Sequence, residues 1–393
     1  MSDAALLATV VADDEEGPAL TPLRRSRHAA VESIGPWRLI GSKLLRQRLA
    51  IASACVVLLL YLIGAFAEFL APSLPDTSRP QYTYAPPQPL HLFRRTPDGA
   101  TMFGPYVEGY RIAIDPVALR RSFVPDGSRP VPVGFFVRGP AYRLWGVIPL
   151  TTHLFGPNSP GQPMYLLGAD RLGRDVLSRL IYGTRVSMSI GLAGVVVSLL
   201  LGVVLGAVSG FYGGIVDTLI QRAIEVVSAM PTIPLWLGLA AAIPLTWSPL
   251  SVYFVITLIV SLLGWTSLAR EVRGRFLALR GEDFVTAARL DGAGEGRLIF
   301  RHILPSLTSH ILAVVTLAVP TMIVAETSLS FLGIGLKPPV VSWGVLLQDA
   351  QNIRTVATAP WLLIWPALAV VVAVLAFNFF GDGLRDAADP YGD

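Results

Sequence analysis

The stretch Glu282–Leu307, "EDFVTAARLDGAGEGRLIFRHILPSL", lies between two long apolar runs and is dense in charge. Glycines at 292, 294 and 296 break it, and Pro305 stands near its end. A plain connector between two apolar helices needs only a few polar residues, so its length asks for an explanation. Glu282 and Asp283 stand where acids favour a helix start, because their charge meets the unpaired backbone N–H groups there. Phe284, Ala287, Ala288 and Asp291 follow helical spacing and predict a short helix with a small-residue patch. Gly292 and Gly294 permit a sharp reversal, since glycine enters the left-handed region without a Cβ clash. A second short segment, Arg297–Ile303, runs up to Pro305, whose ring suits the first turn of the next helix. By spacing alone, these two segments make either a docking surface or a loop that merely solvates the ends of its neighbours.

Composition decides what those neighbours are. Hydrophobic residues make up 53% of the 393-residue chain and charged ones only 15%, with a mean hydropathy of +0.58. A soluble domain carries roughly 25% charged residues, so this chain has too little polar surface to live in water. The net charge of +4 is small, and its placement matters more than its size. The single cysteine, Cys55, excludes an intrachain disulfide and reads as a packing residue. Residues 1–35 are acidic, then basic, and the first apolar run begins only near Leu49. That is too late and too long for a cleaved leader, and the segment is expected to be a mobile cytoplasmic tail.

A membrane helix needs about 20 mostly apolar residues. Charge-free runs at 49–67, 186–216, 226–269, 303–325 and 355–381 satisfy this, the third being long enough for two spans with a turn at 241–251. The runs are continuous rather than alternating, which argues for helices and against a barrel. The expected class is therefore an all-α integral membrane protein with six transmembrane helices. Arg38, Lys43, Arg46 and Arg48 precede the first span, and Arg270, Arg273, Arg275, Arg280, Arg289, Arg297 and Arg301 stand between the fourth and fifth. Positive flanks mark the cytoplasmic side, so both termini are expected in the cytoplasm. The arginines of "DRLGRDVLSRLIYGTR" fall on the opposite side, at the end of a long loop that escapes this rule. The resulting organisation is a tail at 1–35, a first span with its basic flank at 36–70, and an extracytoplasmic insert at 71–165. A core with five further spans follows at 166–381, then a cytoplasmic tail at 382–393. The insert holds 17 of the 31 prolines together with many aromatics. Proline density forbids long helices, and the aromatics with the alternation in "VPVGFFV" point to short strands and extended segments.

Ala287 and Ala288, Gly292 four residues on, and Leu304-Pro305 repeat a pattern, and the segment resembles the coupling loop of ABC-importer permeases. Thr286 stands where that family often has glutamate. "LLGADRLGRDVLSRLIYGTRVSMSIG" (166–191) and "AETSLSFLGIGLKPPVVSWGVLLQDA" (325–350) resemble the corresponding stretches of the dipeptide/oligopeptide/nickel class. The resemblance covers residues 40–70 and 165–390 and leaves the insert unexplained. It implies a coupling loop at 282–302 in which Glu282, Phe284, Thr286, Ala287, Ala288, Asp291, Gly292, Ala293 and Arg297 dock an ATPase. It further implies a second permease, two ATPase subunits, an extracytoplasmic binding protein and an inner-membrane location, with membrane lipid around the spans and no nucleic acid. Peptides are the implied cargo; nickel chelates, opines and oligosaccharides use the same class.

Other candidates follow from single residues. Asp170–Arg174 and Arg171–Asp175 have i,i+4 spacing, which reads as a surface helix that either anchors at the interface or contacts a binding protein. Glu326 lies inside a span, where a carboxylate is a functional candidate by default; water or Arg185 satisfies it, or it lines the substrate path with Ser330 and Asn378. Arg222 and Glu225 read as an interfacial pair. No G-x-x-x-x-G-K-[ST] occurs, and the five histidines and one cysteine form no metal-ligand pattern. Neither metal nor cofactor is expected on this chain, with ATP hydrolysed by partner subunits. The rivals are a self-sufficient secondary transporter, which wants charged sites at mid-membrane, and a membrane-embedded hydrolase, which wants a nucleophile and a base in the spans.

Overall fold

A computed structural model of the chain describes residues 36–95, 101–114, 121–159, 161–244 and 246–388. The expected tail at 1–35 and the last residues of the one at 382–393 lie outside this set. A short helix, α1 (Pro36–Leu44), precedes the first apolar helix, α2 (Arg48–Ala65), and α3 (Ala67–Leu70) ends it. After the insert come α4 (Val176–Tyr212), α5 (Gly214–Ala229), α6 (Thr232–Ala241) and α7 (Pro249–Leu279). The charged loop follows, then α11 (Thr308–Phe331), α12 (Trp343–Gln348), α13 (Ile353–Thr358) and α14 (Trp361–Ala388). Within the loop lie α8 (Asp283–Leu290), α9 (Glu295–Arg297), a π-helical turn over Leu298–Ile303 and α10 (Leu304–Ser306).

Among the described residues, five helices are long and apolar enough to cross a membrane: α2, α4, α7, α11 and α14. The sixth expected span is a broken pair, with α5 and α6 meeting at 86°. The break has a local cause. Pro231 removes a backbone donor and holds Met230 extended, at φ −77° and ψ 132°. The charge-free run at 226–269 carries no sign of this bend except its prolines. At the C-terminus, α14 continues to Ala388, so the segment expected to be a tail from 382 begins as helix.

Packing centres on α4, which is buried against α7, α11 and α2. Small residues at every fourth position, Gly194, Ser198, Gly202, Gly206 and Gly210, form one stripe along it. At Gly206 a Cβ would stand 2.6 Å from the Ala269 carbonyl oxygen, and at Gly210 2.7 Å from that of Arg273. Such clearance lets two backbones approach where lipid offers no hydrophobic drive for helix association. Ser198 Oγ donates to the Ser261 carbonyl at 3.0 Å in the same seam. The main core joins Met188 and Val195 of α4, Ile256 and Val260 of α7, Val319 and Ile323 of α11, and Phe377 of α14.

The insert overturns the all-α expectation. It folds as an antiparallel sheet in the order β1 (Leu90–Arg95), β2 (Thr101–Ile114), β3 (Arg121–Leu144) and β4 (Ile148–Pro157). The strands are longer than the short ones expected. The first half of β3 pairs with β2 and its second half with β4, so one strand serves two hairpins. Prolines are accommodated where register shifts: Pro130 borders the shift between Glu108 and Gly109, and Pro140 lies within the one between Arg138 and Tyr142. A residue without a donor belongs at such a bulge. The sheet is tied back to the helices. The ring nitrogens of buried His153 reach the carbonyls of Ala71 at 2.6 Å and Pro140 at 3.0 Å. Gln88 bridges the Glu108 carbonyl and the Tyr165 N–H, at 2.7 and 2.6 Å.

Candidate functional site

In the loop, α8 ends in a reversal that its own backbone closes. Gly292 adopts φ +78°, the Ala293 N–H donates to the Ala288 carbonyl at 3.0 Å, and the Gly292 N–H donates to Arg289 at 3.1 Å. This pair of bonds satisfies carbonyls that a helix end otherwise leaves bare. A Cβ at Gly292 would meet nothing within 4 Å, so glycine is required there by backbone angle and not by space. One face of α8 is fixed inward: Val285 and Ala288 are buried against Val272, Phe276, Leu298 and Ile303, and Ala293 packs on the same floor. The expected small-residue patch is therefore divided. Ala287 is exposed with Glu282, Phe284, Thr286, Asp291 and Arg297, while Ala288 belongs to the loop's own core. Leu290, 83% exposed, completes the outward face. It escaped notice because a leucine at the end of an amphipathic helix reads as core. Glu295 accepts from Tyr212 at the end of α4, at 2.9 Å. Beneath the loop, Arg273 of α7 holds Asp217 of α5 through two bonds of 2.6 and 2.5 Å. Arg222 and Glu225 form the expected surface pair at 2.7 Å.

At the start of α4, the residues of the two expected pairs, Asp170, Arg171, Arg174 and Asp175, do not lie on a helix. Residues 166–175 are irregular, and α4 begins at Val176 with the Asp175 carboxylate accepting from the Ser178 N–H at 2.8 Å. Burial pushes the Asp175 carboxyl up to about 6, against the lowering effect of its bonds from Ser178. Of the two pairs expected from spacing one forms: Asp170 takes Arg174 at 2.7 Å, and also Arg179 at 2.5 Å, whereas Arg171 turns to Asp349 at 3.2 Å and not to Asp175. Arg179 reaches Asp349 as well, at 3.1 Å, and is 1% exposed. This buried network joins α4 to the end of α12. Of the three residues considered for a binding-protein contact, Arg174 and Asp175 are buried and only Arg171 is exposed.

Glu326 is fully buried in α11. Its carboxylate accepts from Ser330 Oγ at 2.8 Å and Ser187 Oγ at 3.2 Å. The same hydroxyl oxygens accept from the backbone N–H groups of Leu336 and Trp343, both at 3.1 Å. Glu326 and Ser330 thus lock the chain beyond α11 onto α4. Arg185, the partner considered for Glu326, pairs instead with Glu68. Asn378 is half-buried on α14 and stands apart from this group. An open cavity of about 370 Å³ lies elsewhere, between α7, α11 and α14, with Ser267, Glu271, His310, Thr321 and Arg385 in its wall. Glu271 and His310 approach to 2.7 Å across it. Neither was singled out from sequence, because Glu271 lies in a charged flank and His310 is a lone histidine at a span's edge. Among the described residues, no group of three His, Cys, Asp or Glu side chains is placed to hold a metal ion.

Comparison with known proteins gives this architecture a family. Residues 202–391 match the family described as binding-protein-dependent transport system inner membrane component. Residues 35–87 match the N-terminal TM domain of oligopeptide transport permease C. The oligopeptide transport system permease protein OppC of Bacillus subtilis is 38% identical over 240 residues, 61% of this chain and 76% of that protein. A putative peptide permease protein of Brucella ovis is 39% identical over 251 residues, 63% of this chain and 81% of that one. The glutathione transport system permease protein GsiD of Pectobacterium atrosepticum is 39% identical over 235 residues, 60% and 74% of the two chains. The chain belongs to the binding-protein-dependent transport system inner membrane components, as a non-enzymatic ABC-importer permease of the dipeptide/oligopeptide/nickel class.

Proposed function

We propose that the chain forms half of the translocation pathway for peptides and is driven by separate ATPase subunits that dock on the 282–302 loop. Relatives named for oligopeptide, peptide and glutathione transport support the peptide class. The single observation that carries the docking assignment is the outward face of α8. A helix of eight residues is held on its own apolar floor, reversed at Gly292, and still presents Phe284, Ala287 and Leu290 to the outside. Exposed apolar groups on a rigid support suit a protein partner. The arginine-rich flanks support a cytoplasmic side for this loop and both chain ends and an outer side for the sheet, where a binding protein delivers cargo. The second permease closes the pathway, and the Glu271–His310 cavity is the pathway-facing polar surface, in place of the buried Glu326 and Ser330.

Ala287→Arg tests the docking directly, because the residue is exposed and the change leaves the loop's core intact. Expressed with its partners at matched membrane abundance, the variant is expected to lose ATPase co-purification and peptide uptake. Arg46→Ala, on the flank of α2, is expected to keep both. Normal ATPase recovery with Ala287→Arg would overturn the docking assignment.

A further inference from the structure

The hairpin formed by β3 and β4 ends in Arg143-Leu144-Trp145-Gly146-Val147-Ile148, an unusual turn for a segment surrounded by water. Trp145 is 56% exposed, Val147 78% and Ile148 44%, and Arg143 is exposed beside them. A hairpin tip in solvent is normally polar, with residues that satisfy its turn. The position of this tip is fixed by the end of a membrane helix. Trp145 Nε1 donates to the carbonyl of Ala65 at 2.8 Å, the last residue of α2, where a helix leaves carbonyls unpaired. The Trp145 ring also lies 5.8 Å from that of Phe66.

Phe66 is the end of a longer feature. Cys55, Leu59 and Leu62 follow helical spacing along α2, Phe66 caps it, and all are exposed, which gives that span one outward apolar stripe. Trp145, Val147 and Ile148 continue the same apolar surface past the end of the helix and onto the sheet. The side chains also match the depth. Tryptophan concentrates at the boundary between hydrocarbon and headgroups, because its ring is apolar and its N–H is polar. Arginine at that level keeps its stem in apolar surroundings and its charge among phosphates.

We propose that the β3–β4 tip is an interfacial foot, resting in the headgroup layer of the bilayer with Trp145, Val147 and Ile148 inserted and Arg143 on lipid phosphates. The foot fixes the tilt of the sheet relative to the membrane. It rests only on α2 crossing the bilayer, and holds whether or not the loop at 282–302 docks an ATPase.

The test uses the full chain in its complex, with Cys55→Ala and a single new cysteine carrying an environment-sensitive bimane. Val147→Cys reports on the foot, Ile148→Cys duplicates it, and Arg129→Cys reports on the half of β3 that pairs with β2. After reconstitution into vesicles, phospholipid with a nitroxide near its headgroup is expected to quench the labels at 147 and 148. Iodide in the water is expected to quench the label at 129 instead. Trp145→Ala is expected to shift the 147 emission to the red as the tip lifts. Equal lipid quenching at 147 and 129, or iodide quenching at 147 that disappears only on adding a binding protein, would overturn the foot.

Discussion

The loop at 282–307 and the insert at 71–165 are both long for what they connect, and they hold their shapes by opposite means. The loop is mostly local. Its reversal is closed by bonds between residues three and five apart, and its floor is made by α7 and its own π-helical turn with Ala207 of α4, which adds one distant bond from Tyr212 to Glu295. The insert is non-local. Trp145 reaches Ala65, His153 reaches Ala71 and Gln88 reaches Tyr165, so its sheet is anchored by contacts roughly eighty residues apart in sequence. Loop closure costs entropy before such contacts form, and they hold only when the whole arrangement is present. Damage to the loop should therefore stay in the loop, whereas damage where the insert rejoins the bundle should spread.

The largest expected effect lies at that junction. Arg179→Ala leaves buried Asp170 to Arg174 alone and Asp349 to Arg171 and the more distant Arg174, a loss bounded above by the about 3–5 kcal/mol of removing one partner of a buried ion pair. Thermal unfolding of the purified complex should show the whole bundle destabilised. A transition near that of the unaltered protein would mean that the network is dispensable, and the contrast drawn above would fail at its strongest point. Next comes Gly292→Val, where a branched side chain in the left-handed region costs about 1–2 kcal/mol. Here the unfolding transition of the spans should stay put while protease cleavage within 282–302 rises. Gly292→Asn should do less, since asparagine tolerates that conformation; equal sensitivity of the two variants would argue that space, not φ, demands the glycine.

A smaller effect is expected at the seam of the sheet. His153→Ala removes the ring that lies between two backbone carbonyls and the hydrogen bond it donates to one of them, and an ordinary bond contributes about 1 kcal/mol. Faster proteolysis of the 121–157 region with the helices still protected would mark the sheet as a separately loosened unit. Intact protection would assign its anchoring to Trp145 and Gln88 instead. The smallest stability effect is expected at Leu290→Asp, within about 0.5 kcal/mol for an exposed site. Uptake should nevertheless fall, because that side chain belongs to the outward face of α8. A variant that both unfolds the loop and spares uptake would reverse the roles given to its two faces.

Several features needed nothing beyond the order of residues. Runs without charge marked the membrane helices, because every backbone group in hydrocarbon must be bonded within its own segment. Glycine at 292 marked the reversal, because only backbone angle is at issue there. The spacing at 284–291 marked α8, because a period of 3.6 residues is written into sequence. Other features were decided by what meets in space. Which alanine of the 287–288 pair faces inward depends on Phe276 and Leu298 arriving beneath it. Arg185 and Glu326 share the right neighbourhood by hydropathy, yet Arg185 finds Glu68 and Glu326 finds two serine hydroxyls. Arg171 and Asp175 have helical spacing and no helix, because Arg171 is drawn to Asp349 and the chain does not coil until Val176. The sheet was legible only as a tendency, since strand pairing joins distant residues and proline alone says where pairing is interrupted, not with which partner. Local preference is carried by each residue with its neighbours in sequence; choice of partner is carried by the packed fold, where burial leaves a charge one satisfactory arrangement.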